Sequence, residues 1–363
     1  MSLVDANRSG VLEAADEAAA LEELHRLGCT DGLPVVIPTP PRVDRMVIAS
    51  GHPADLELGV MGPNLGSCTV EKLAIAAVMA GCLPDYFPVV LAAARAIMDE
   101  RFDLTEVQAT THSIAPLIIV NGPAAHSCGP ISGSFGALGP GHRANASIGR
   151  AIRLAMINVG GGRPGVSDMA LLGHPGKFTF CLAEDEAASP FDPLHVSLGF
   201  EPDQSTVTVL GTDAPHSVMA ITDADDPGSS DRLLTSLALA FAHVTTNNAV
   251  LRNGRAALAI NPDHAAMLAA NGHTRASVAE AVVERATVPG RELLRAAGSM
   301  GRVDPEREYA CFASPDDLLL FVAGGGGLYS AAFPSWCAGP HRNQSVTVEI
   351  ELDQACEVPW ANA

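Results

Sequence analysis

Residues 108–182 carry most of the side chains that could perform chemistry in this chain. The chain has a formal charge of -19, but this window contains five basic residues against a single acid, Asp168. The window also holds 13 of the 34 glycines and 4 of the 12 histidines. Glycine lets backbone N–H groups approach a ligand closely, and arginine donates paired hydrogen bonds to carboxylates and phosphates. The window therefore predicts a binding site for a small anion.

Several side chains in and near this window are candidates for catalysis. His112 and His126 each lie beside a predicted strand end, and an imidazole titrates near neutral pH, so we expect one of them to move a proton. Asp168 and Tyr329 are expected to assist. Cys128 is the best candidate for a reactive thiol, because nearby cations lower the pKa of a thiol. Its alternative role is that of a small buried hydrophobic residue.

Two glycine-rich loops supply the expected substrate contacts. Residues 129–141 lead into a predicted helix, whose exposed N–H groups and positive dipole end suit an anion. Residues 324–327 are four consecutive glycines, which the close approach of a ligand would explain. Arg143, Arg150 and Arg153 project from one side of the predicted helix, where they could bind an anion. For Arg153 the alternative is an ion pair with a carboxylate of the protein. The predicted substrate-binding residues are Asn121, Ser132, Ser134, Arg143, Asn145, Arg150, His174, Lys177, Gly325, Gly326 and Ser330.

The usual cofactor motifs are missing or misplaced. Gly160-x-Gly162-x-x-Gly165 matches the dinucleotide fingerprint, but it follows a helix and contains a proline. Gly139-x-Gly141-x-x-Ala144 precedes a helix, but no good strand leads into it. We therefore predict no nicotinamide or other cofactor. His126-x-Cys128 could ligate zinc or iron, so a metal stays open as the alternative, although no second ligand pair has metal-site spacing.

The bulk composition bounds the class of protein and its partners. The chain has 363 residues, of which 47% are hydrophobic and 17% charged, as is typical of a well-buried globular protein. From the large apolar fraction we also expect a homo-oligomer. The net charge argues against nucleic acid and anionic membrane surfaces as partners. No apolar run approaches the roughly 20 residues that span a bilayer, and no signal peptide is recognisable. Eight cysteines without a CxxC pair favour free thiols and a cytoplasmic location.

Short apolar runs alternate with helical patterns along the chain. The clearest helix is predicted over 143–159, where apolar residues recur at spacings of three and four before three glycines. Strands are predicted at 33–37, 116–120, 178–182, 205–210, 256–260, 318–322 and 345–351, and further helices at 11–27, 69–79, 87–98 and 230–244. This alternation predicts an α/β fold with a mixed or mostly parallel sheet flanked by helices. The stretch 185–203 is a candidate boundary between the halves 1–190 and 200–363, with a single domain as the alternative.

Seven motifs give the chain a resemblance to known proteins over nearly its full length. They are Asp31-Gly32-Leu33-Pro34-Val35, Glu71-Lys72 running to Ala80-Gly81-Cys82, Asn121-Gly122-Pro123, Gly136 to Asn145, Asn158-Val159-Gly160-Gly161, Leu172 to Lys177, and Pro334-Ser335-Trp336. With these motifs the chain resembles an uncharacterised bacterial protein family, from which no activity carries over. Its members look similar to proteins associated with small domains that carry a cysteine or selenocysteine in a UGSC motif. The resemblance thus implies thiol or redox chemistry and a small thiol or selenol partner protein. The family pattern has histidine where this chain has Tyr329, which weakens the acid/base role expected there.

Together these features predict an enzyme that acts on a small carboxylate-type anion by acid/base elimination or addition, that is, a lyase without a nicotinamide cofactor. The first alternative is a thiol-dependent oxidoreductase or C–S bond enzyme that uses Cys128. The second alternative is a binding subunit that needs a partner protein for activity.

Overall fold

The computed structural model describes residues 9–223, 225–252, 254–298 and 303–352. The α-helices in these ranges are Glu17–Arg26 (α1), Pro40–Ala49 (α2), Val70–Ala80 (α3), Phe87–Met98 (α4), Leu104–Ala109 (α5), Ala124–Ser127 (α6), Arg143–Asn158 (α7), Leu194–Ser197 (α8), Ser229–Phe241 (α9), Asn247–Val250 (α10), Pro262–Ala270 (α11), Arg275–Arg285 (α12) and Gly290–Ala296 (α13). The strands are Glu57–Met61 (β1), Gly66–Thr69 (β2), Ala115–Asn121 (β3), Cys181–Ala183 (β4), Thr206–Thr212 (β5), His216–Met219 (β6), Ala256–Ile260 (β7), Thr287–Pro289 (β8), Glu308–Ala310 (β9), Leu318–Val322 (β10), Tyr329–Phe333 (β11) and Val346–Glu349 (β12). Within these ranges, no helix has the length and apolar character needed to cross a bilayer.

Eight of the strands form two four-stranded sheets. The first sheet has the order β12-β5-β3-β4, and the second has the order β10-β7-β11-β6. In each sheet one neighbouring pair is parallel and the other two pairs are antiparallel. The predicted α/β fold with mixed pairing is therefore confirmed, with the strands divided between two sheets. The other four strands form the antiparallel pairs β1–β2 and β8–β9.

The two sheets pack face to face because both faces of their central strands are apolar. Along β3, Leu117 and Ile119 face the second sheet, whereas Ile118 and Val120 belong to the core under the helices. The side chains of β7 and β10 alternate in the same way: one set faces the first sheet, and the other set packs against the helices of the second sheet. Helices α3, α4 and α7 cover the outer face of the first sheet, and α9, α11 and α12 cover that of the second. The chain thus has four layers, in the order helix, sheet, sheet, helix.

The last strand, β12, returns from the second sheet to the first. Strand β5 belongs to the first sheet, but β6, the next strand, pairs with β11 in the second sheet. Strand β12, which follows β11, returns to the first sheet and pairs with β5. The two crossing segments meet in a bridge between Thr212 and Ser335. The first sheet therefore contains strands from both sides of residue 200, whereas all four strands of the second sheet lie after it. The division into halves 1–190 and 200–363 stays a prediction.

Local sequence signals set the ends of the helices near the site. Helix α7 was predicted over 143–159 and ends at Asn158, where Gly160 and Gly161 follow. Helix α11 begins with proline, and the preceding Asn261 side chain accepts a hydrogen bond from the backbone N–H of His264. This capping bond fixes the exit of β7, one of the two central strands of the second sheet.

The predicted strand at 33–37 is wrong. The segment is extended, but it belongs to none of the strands that the structure describes, and its backbone contact to the core is a bond from Val36 N to Met79 O. Strands β6 and β11 escaped prediction because small and polar residues, in His216–Met219 and Tyr329–Phe333, interrupt the apolar pattern. Whether a segment forms a strand depends on its pairing partner, which a short sequence window does not contain. This explains both the absent strand at 33–37 and the unpredicted strands β6 and β11.

Candidate functional site

The structure distributes the predicted site residues over three places. Near the start of β3 lie His112, Asp168, His174 and Lys177. Near the end of β3 lie Asn121, His126, Ser132 and Ser134. Around the start of β11 lie Gly325, Gly326, Tyr329 and Ser330. The remaining four, Cys128, Arg143, Asn145 and Arg150, contact other segments of the protein.

A cavity of about 310 Å³ lies between α7 and the segment that follows it. We call it the cationic cavity and define it by Arg153, Asp168 and Lys177. The rest of its lining consists of Gly28, Thr30, Asp31, Ile157, Gly162, Arg163, Pro164 and Phe178. Its volume is at the lower end of the roughly 300–1,000 Å³ that is usual for small-molecule sites.

Arg153 projects from α7 into this cavity and has few protein partners. Its side chain is 8% exposed, and among the described residues its hydrogen-bonded contact is with Asp168, at 3.5 Å from Nη1 to Oδ2. A guanidinium has five N–H donors, so most of them lack a protein acceptor. Burial lowers the pKa of Arg153, and the carboxylates of Asp168 and Asp31 oppose this only in part. An anion in the cavity would supply the missing acceptors.

Lys177 is the second cation of the cavity. Its Nζ lies 2.9 Å from Asp168 Oδ2 and 3.3 Å from the carbonyl oxygen of Ile114. Burial lowers the pKa of Lys177, the positive charge of Arg153 lowers it further, and Asp168 acts in the opposite direction. A lowered pKa increases the fraction of neutral amine near neutral pH, which is the form that can accept a proton. One carboxylate oxygen thus serves two buried cations.

His174 lies between the cationic cavity and a second polar cluster. Its Nδ1 accepts a hydrogen bond from Gly176 N at 3.1 Å, so the neutral ring carries its proton on Nε2. Burial lowers the pKa of His174, Asp213 opposes this, and the charges of Lys177 and Arg153 lower it further. At neutral pH, His174 is therefore uncharged and adds nothing to the positive charge of the cavity.

His112, the predicted proton carrier, is engaged at both ring nitrogens. Its Nε2 lies 3.1 Å from Asp213 Oδ2, and its Nδ1 lies 2.9 Å from Asn247 Nδ2. An amide nitrogen only donates, so Nδ1 accepts from Asn247 and Nε2 donates to Asp213. Burial acts to raise the pKa of Asp213, but hydrogen bonds from His112 and from the backbone of Ala214 outweigh burial and lower it. The Asn247 amide also donates to the Trp336 carbonyl at 2.8 Å, so this cluster joins β3 to the segment after β11.

Arg143 and Arg150 bind other parts of the chain. Arg150 Nε and Nη2 donate to the two carboxylate oxygens of Asp31, each at 2.8 Å. Arg143 Nε and Nη2 both donate to the carbonyl oxygen of Gly81, at 3.3 and 3.0 Å, where α3 ends. Neither arginine lines the cationic cavity, and both hold α7 against neighbouring segments.

A second cavity of about 580 Å³ lies at the carboxyl ends of β3 and β4. We call it the loop cavity; its polar side chains are His126, Ser132, Ser134, His142, Glu184, Asp185 and Glu186. Glu184 is neutralised by Arg275, whose Nη2 lies 2.7 Å from Oε1. Within the described part of the chain, neither Asp185 nor Glu186 forms an ion pair with arginine or lysine. The loop cavity is therefore acidic and does not suit an anion.

Both predicted asparagines hold the walls of the loop cavity in place. Asn145 Oδ1 accepts from Ser132 N at 2.8 Å, and its Nδ2 donates to the carbonyl oxygens of Ser132 and Ala137, at 2.8 and 3.0 Å. Asn121 Nδ2 donates to Glu184 Oε2 at 2.7 Å and to Glu186 Oε1 at 2.9 Å. Their amide donors are consequently used by the protein itself.

Cys128 lies in the core between the first sheet and its helices, with 0% of its surface exposed. A nucleophilic thiol must reach its substrate, so attack by Cys128 would require the short helix α6 to open. In the ranges that the structure describes, no three His, Cys, Asp or Glu side chains form a group that could hold a metal ion. The thiol and metal alternatives stay predictions.

Ser330 forms a buried pair with a histidine that the sequence analysis did not single out. Its hydroxyl lies 2.9 Å from His264 Nδ1 and accepts a hydrogen bond from Asn261 N at 3.1 Å. His264 Nε2 lies 3.1 Å from the Ala220 carbonyl, so it donates there and accepts the hydroxyl proton at Nδ1. Both side chains are buried, whereas the neighbouring Tyr329 is exposed. This pair joins α11 to the ends of β6 and β11.

The glycines of the second loop allow close contacts within the protein. A Cβ atom on Gly325 would overlap the ring of Phe135, which reaches across from the first glycine-rich loop. A Cβ on Gly326 would lie 2.8 Å from the carboxylate of Asp263. The close approach that the sequence attributed to a ligand is made here by the protein's own side chains.

Arg153 is not among the site residues that the sequence predicts. Its position on α7 held a signal, because Gly149 and Met156, four residues before and three after it, are buried on the same helix face. An arginine at a buried helical position needs an acceptor. Asp213 and Asn247 carried no such signal, because the fold brings them to His112 from more than 100 residues away.

Comparison of the chain with protein-family models, with curated proteins and with solved structures finds no match. The chemical groups of the site are a buried guanidinium with donors that lack a protein acceptor among the described residues, a lysine with a lowered pKa, and one shared carboxylate.

Proposed function

We propose that this chain is an enzyme that binds a small carboxylate in the cationic cavity and catalyses an acid/base elimination or addition. Arg153 would hold the substrate carboxylate, and Lys177 would move the proton. The observation that carries the proposal is the buried guanidinium of Arg153, which has one 3.5 Å contact and opens on a cavity beside Lys177.

The binding step follows from the balance of donors and acceptors. A carboxylate can accept two parallel N–H bonds from one guanidinium, and such charge-assisted pairs are short and strong. Asp168 occupies only part of the fork of Arg153, and Lys177 competes for the same oxygen. A substrate carboxylate would therefore satisfy Arg153 without displacing a protein partner.

The proton step follows from the environment of Lys177. In an elimination, the neutral amine takes the proton from the carbon next to the carboxylate, and the leaving group departs with its electron pair from the following carbon. The resulting ammonium then returns the proton to the leaving group. Negative charge grows on the substrate carboxylate in the transition state, and Arg153 is placed to stabilise it. Addition is the reverse of these steps.

The first test measures exchange of the carbon-bound proton for deuterium. A panel of small saturated carboxylates with a hydroxyl or amino group on the second or third carbon is incubated with the protein in D₂O, and proton NMR follows the carbon next to the carboxylate. We expect Lys177→Met to abolish exchange while carboxylate binding, detected by saturation-transfer NMR, persists. Arg153→Gln should abolish both. The rate of exchange should rise with pH through a pKa below 10.5, the ordinary lysine value.

Two variants serve as controls for this test. Lys72→Met changes the chain's other lysine, an exposed one, and should leave exchange intact. Arg143→Gln changes the arginine that the sequence favoured and should leave binding intact, because that side chain contacts Gly81 outside the cavity. Binding that survives Arg153→Gln but is lost in Arg143→Gln would overturn the proposal.

A further inference from the structure

We propose that the substrate is a monocarboxylate with a short apolar tail. This inference rests on the proposed function, because it names the class of carboxylate that the cationic cavity accepts. Two independent features of the lining carry it: the balance of buried charges and the position of apolar side chains on one wall.

While Lys177 is protonated, which is the state that binds the substrate before the proton step, the buried charges of the cavity leave one positive charge unmatched. Asp31 is 3% exposed at its side chain and is neutralised by the two hydrogen bonds from Arg150. Arg153 and Lys177 then face one carboxylate, that of Asp168. One substrate carboxylate completes this balance, whereas a second one would be buried without a partner.

Arg163 does not change this balance. It is exposed, and its Nη1 donates to the Gly28 carbonyl at 3.3 Å, so its charge lies at the rim where water screens it. The neutral His174 likewise adds no charge near the cavity. The interior of the cavity thus favours a monoanion over a dianion.

The wall beside these charges is apolar. Ile157 of α7, Pro164 and Phe178 line the cavity and offer no side-chain hydrogen-bonding group to a ligand. Phe178 is 44% exposed, so its ring keeps apolar surface that a ligand in the cavity can cover. Val166, 77% exposed, lies at the tip of a turn whose two ends, Pro164 and Asp168, both line the cavity. A hydrocarbon tail that leaves the carboxylate subsite would cover this wall.

The test is a series of unbranched monocarboxylates from acetate to octanoate, with the matching dicarboxylates, titrated calorimetrically at constant ionic strength. Burial of a methylene group strengthens binding by about 0.8 kcal/mol, so Kd should fall about two- to fourfold per added carbon until the tail outgrows the wall. Dicarboxylates should bind at least tenfold more weakly than monocarboxylates of equal length.

Variants separate the tail from the carboxylate subsite. Phe178→Ser should flatten the dependence on chain length and leave acetate binding unchanged. Phe135→Ser, which alters an exposed phenylalanine outside the lining of this cavity, is the matched control and should leave the dependence intact. Arg153→Gln should abolish binding of the whole series.

The outcomes distinguish this inference from the proposed function. Equal affinity for all chain lengths, or a preference for dicarboxylates, would contradict the inference of a monocarboxylate with an apolar tail. Neither result would contradict the proposed carboxylate site. Absence of binding for every carboxylate overturns both. A slope that survives Phe178→Ser would place the tail elsewhere and also overturns the inference.

Discussion

Asp168 is the residue on which the charge balance of the cationic cavity depends. Its Oδ2 atom accepts from Lys177 at 2.9 Å and contacts Arg153 at 3.5 Å. Removing one partner from a buried ion pair is costly because the remaining charge keeps its desolvation penalty. An anion that enters the cavity can take over part of the role of this carboxylate.

Asp168→Asn should therefore lower the free energy of unfolding by about 3 kcal/mol, since Arg153 and Lys177 would be left without a counter-charge. Sodium acetate should restore part of this stability, whereas sodium chloride at the same ionic strength should restore little. Urea unfolding with each salt measures both effects. Asp203→Asn, at an exposed position, is the control and should change stability by less than about 0.5 kcal/mol. Equal rescue by the two salts would contradict a carboxylate site.

At the level of elements, Asn145 connects the start of α7 to the glycine-rich loop 129–141. Its amide satisfies the N–H and carbonyl of Ser132 and the carbonyl of Ala137. A loop with many glycines has high conformational entropy, so its fixed shape requires such side-chain bonds. The Asn145 side chain thus supplies hydrogen bonds to backbone groups of the loop, and these bonds fix the shape of the loop cavity.

Asn145→Ala should cost about 2–3 kcal/mol of stability, because three hydrogen bonds are lost at roughly 1 kcal/mol each. Hydrogen exchange at residues 129–141 should accelerate more than exchange in the strands. Asn145→Asp keeps the acceptor for Ser132 N and loses both donors. The two hydrogen bonds to carbonyl oxygens should therefore be lost, whereas the hydrogen bond from the Ser132 N–H should remain. Unfolding by urea and exchange measured by mass spectrometry test this. Uniform acceleration across the chain would instead indicate global destabilisation.

At the level of the whole molecule, buried histidines couple stability to pH. Burial lowers the pKa of both His174 and His264 from the ordinary value of 6.5. The unfolded chain therefore binds protons first as the pH falls, so their contribution to stability is complete above about 6.5 and is lost below it. The hydrogen bond with Asp103 raises the pKa of His341. Its contribution to stability is therefore complete below about 6.5 and is lost as the pH rises above that value.

We expect the free energy of unfolding to fall as the pH is lowered from about 7 to about 5, and His264→Gln to reduce this slope, because the buried neutral imidazole is removed. Urea unfolding at several pH values gives the slope for each variant. His243→Gln changes an exposed histidine and serves as the control. A slope that is the same in all three proteins would show that His264 titrates alike in the folded and unfolded chains.

Local patterns in the sequence were enough to predict the long helices α3, α4, α7 and α9 and the buried strands β3, β5, β7 and β10. Helix α4 has the predicted bounds, 87–98, and α7 differs from its prediction by one residue, because apolar spacing and glycine stops are local signals. The division of the strands between two sheets is a non-local property. It depends on pairs such as β12 with β5, which no short window contains.

The same contrast applies to the candidate site. The sequence placed excess positive charge in residues 108–182, and the cationic cavity lies there. It did not reveal which arginine keeps free donors, because that depends on distant partners. Arg150 is occupied by Asp31, 119 residues away, and Arg143 by the end of α3, whereas Arg153 meets one shared carboxylate.

The return of β12 to the first sheet also has a consequence for biosynthesis. Val346 pairs with Val209, so the edge of β5 stays open while well over a hundred further residues leave the ribosome. An unpaired strand edge invites pairing with other chains, and contacts of such high order slow folding. Until β12 is synthesised, the first sheet therefore has three strands with β5 at its edge, and the pairing of β12 with β5 adds the fourth strand.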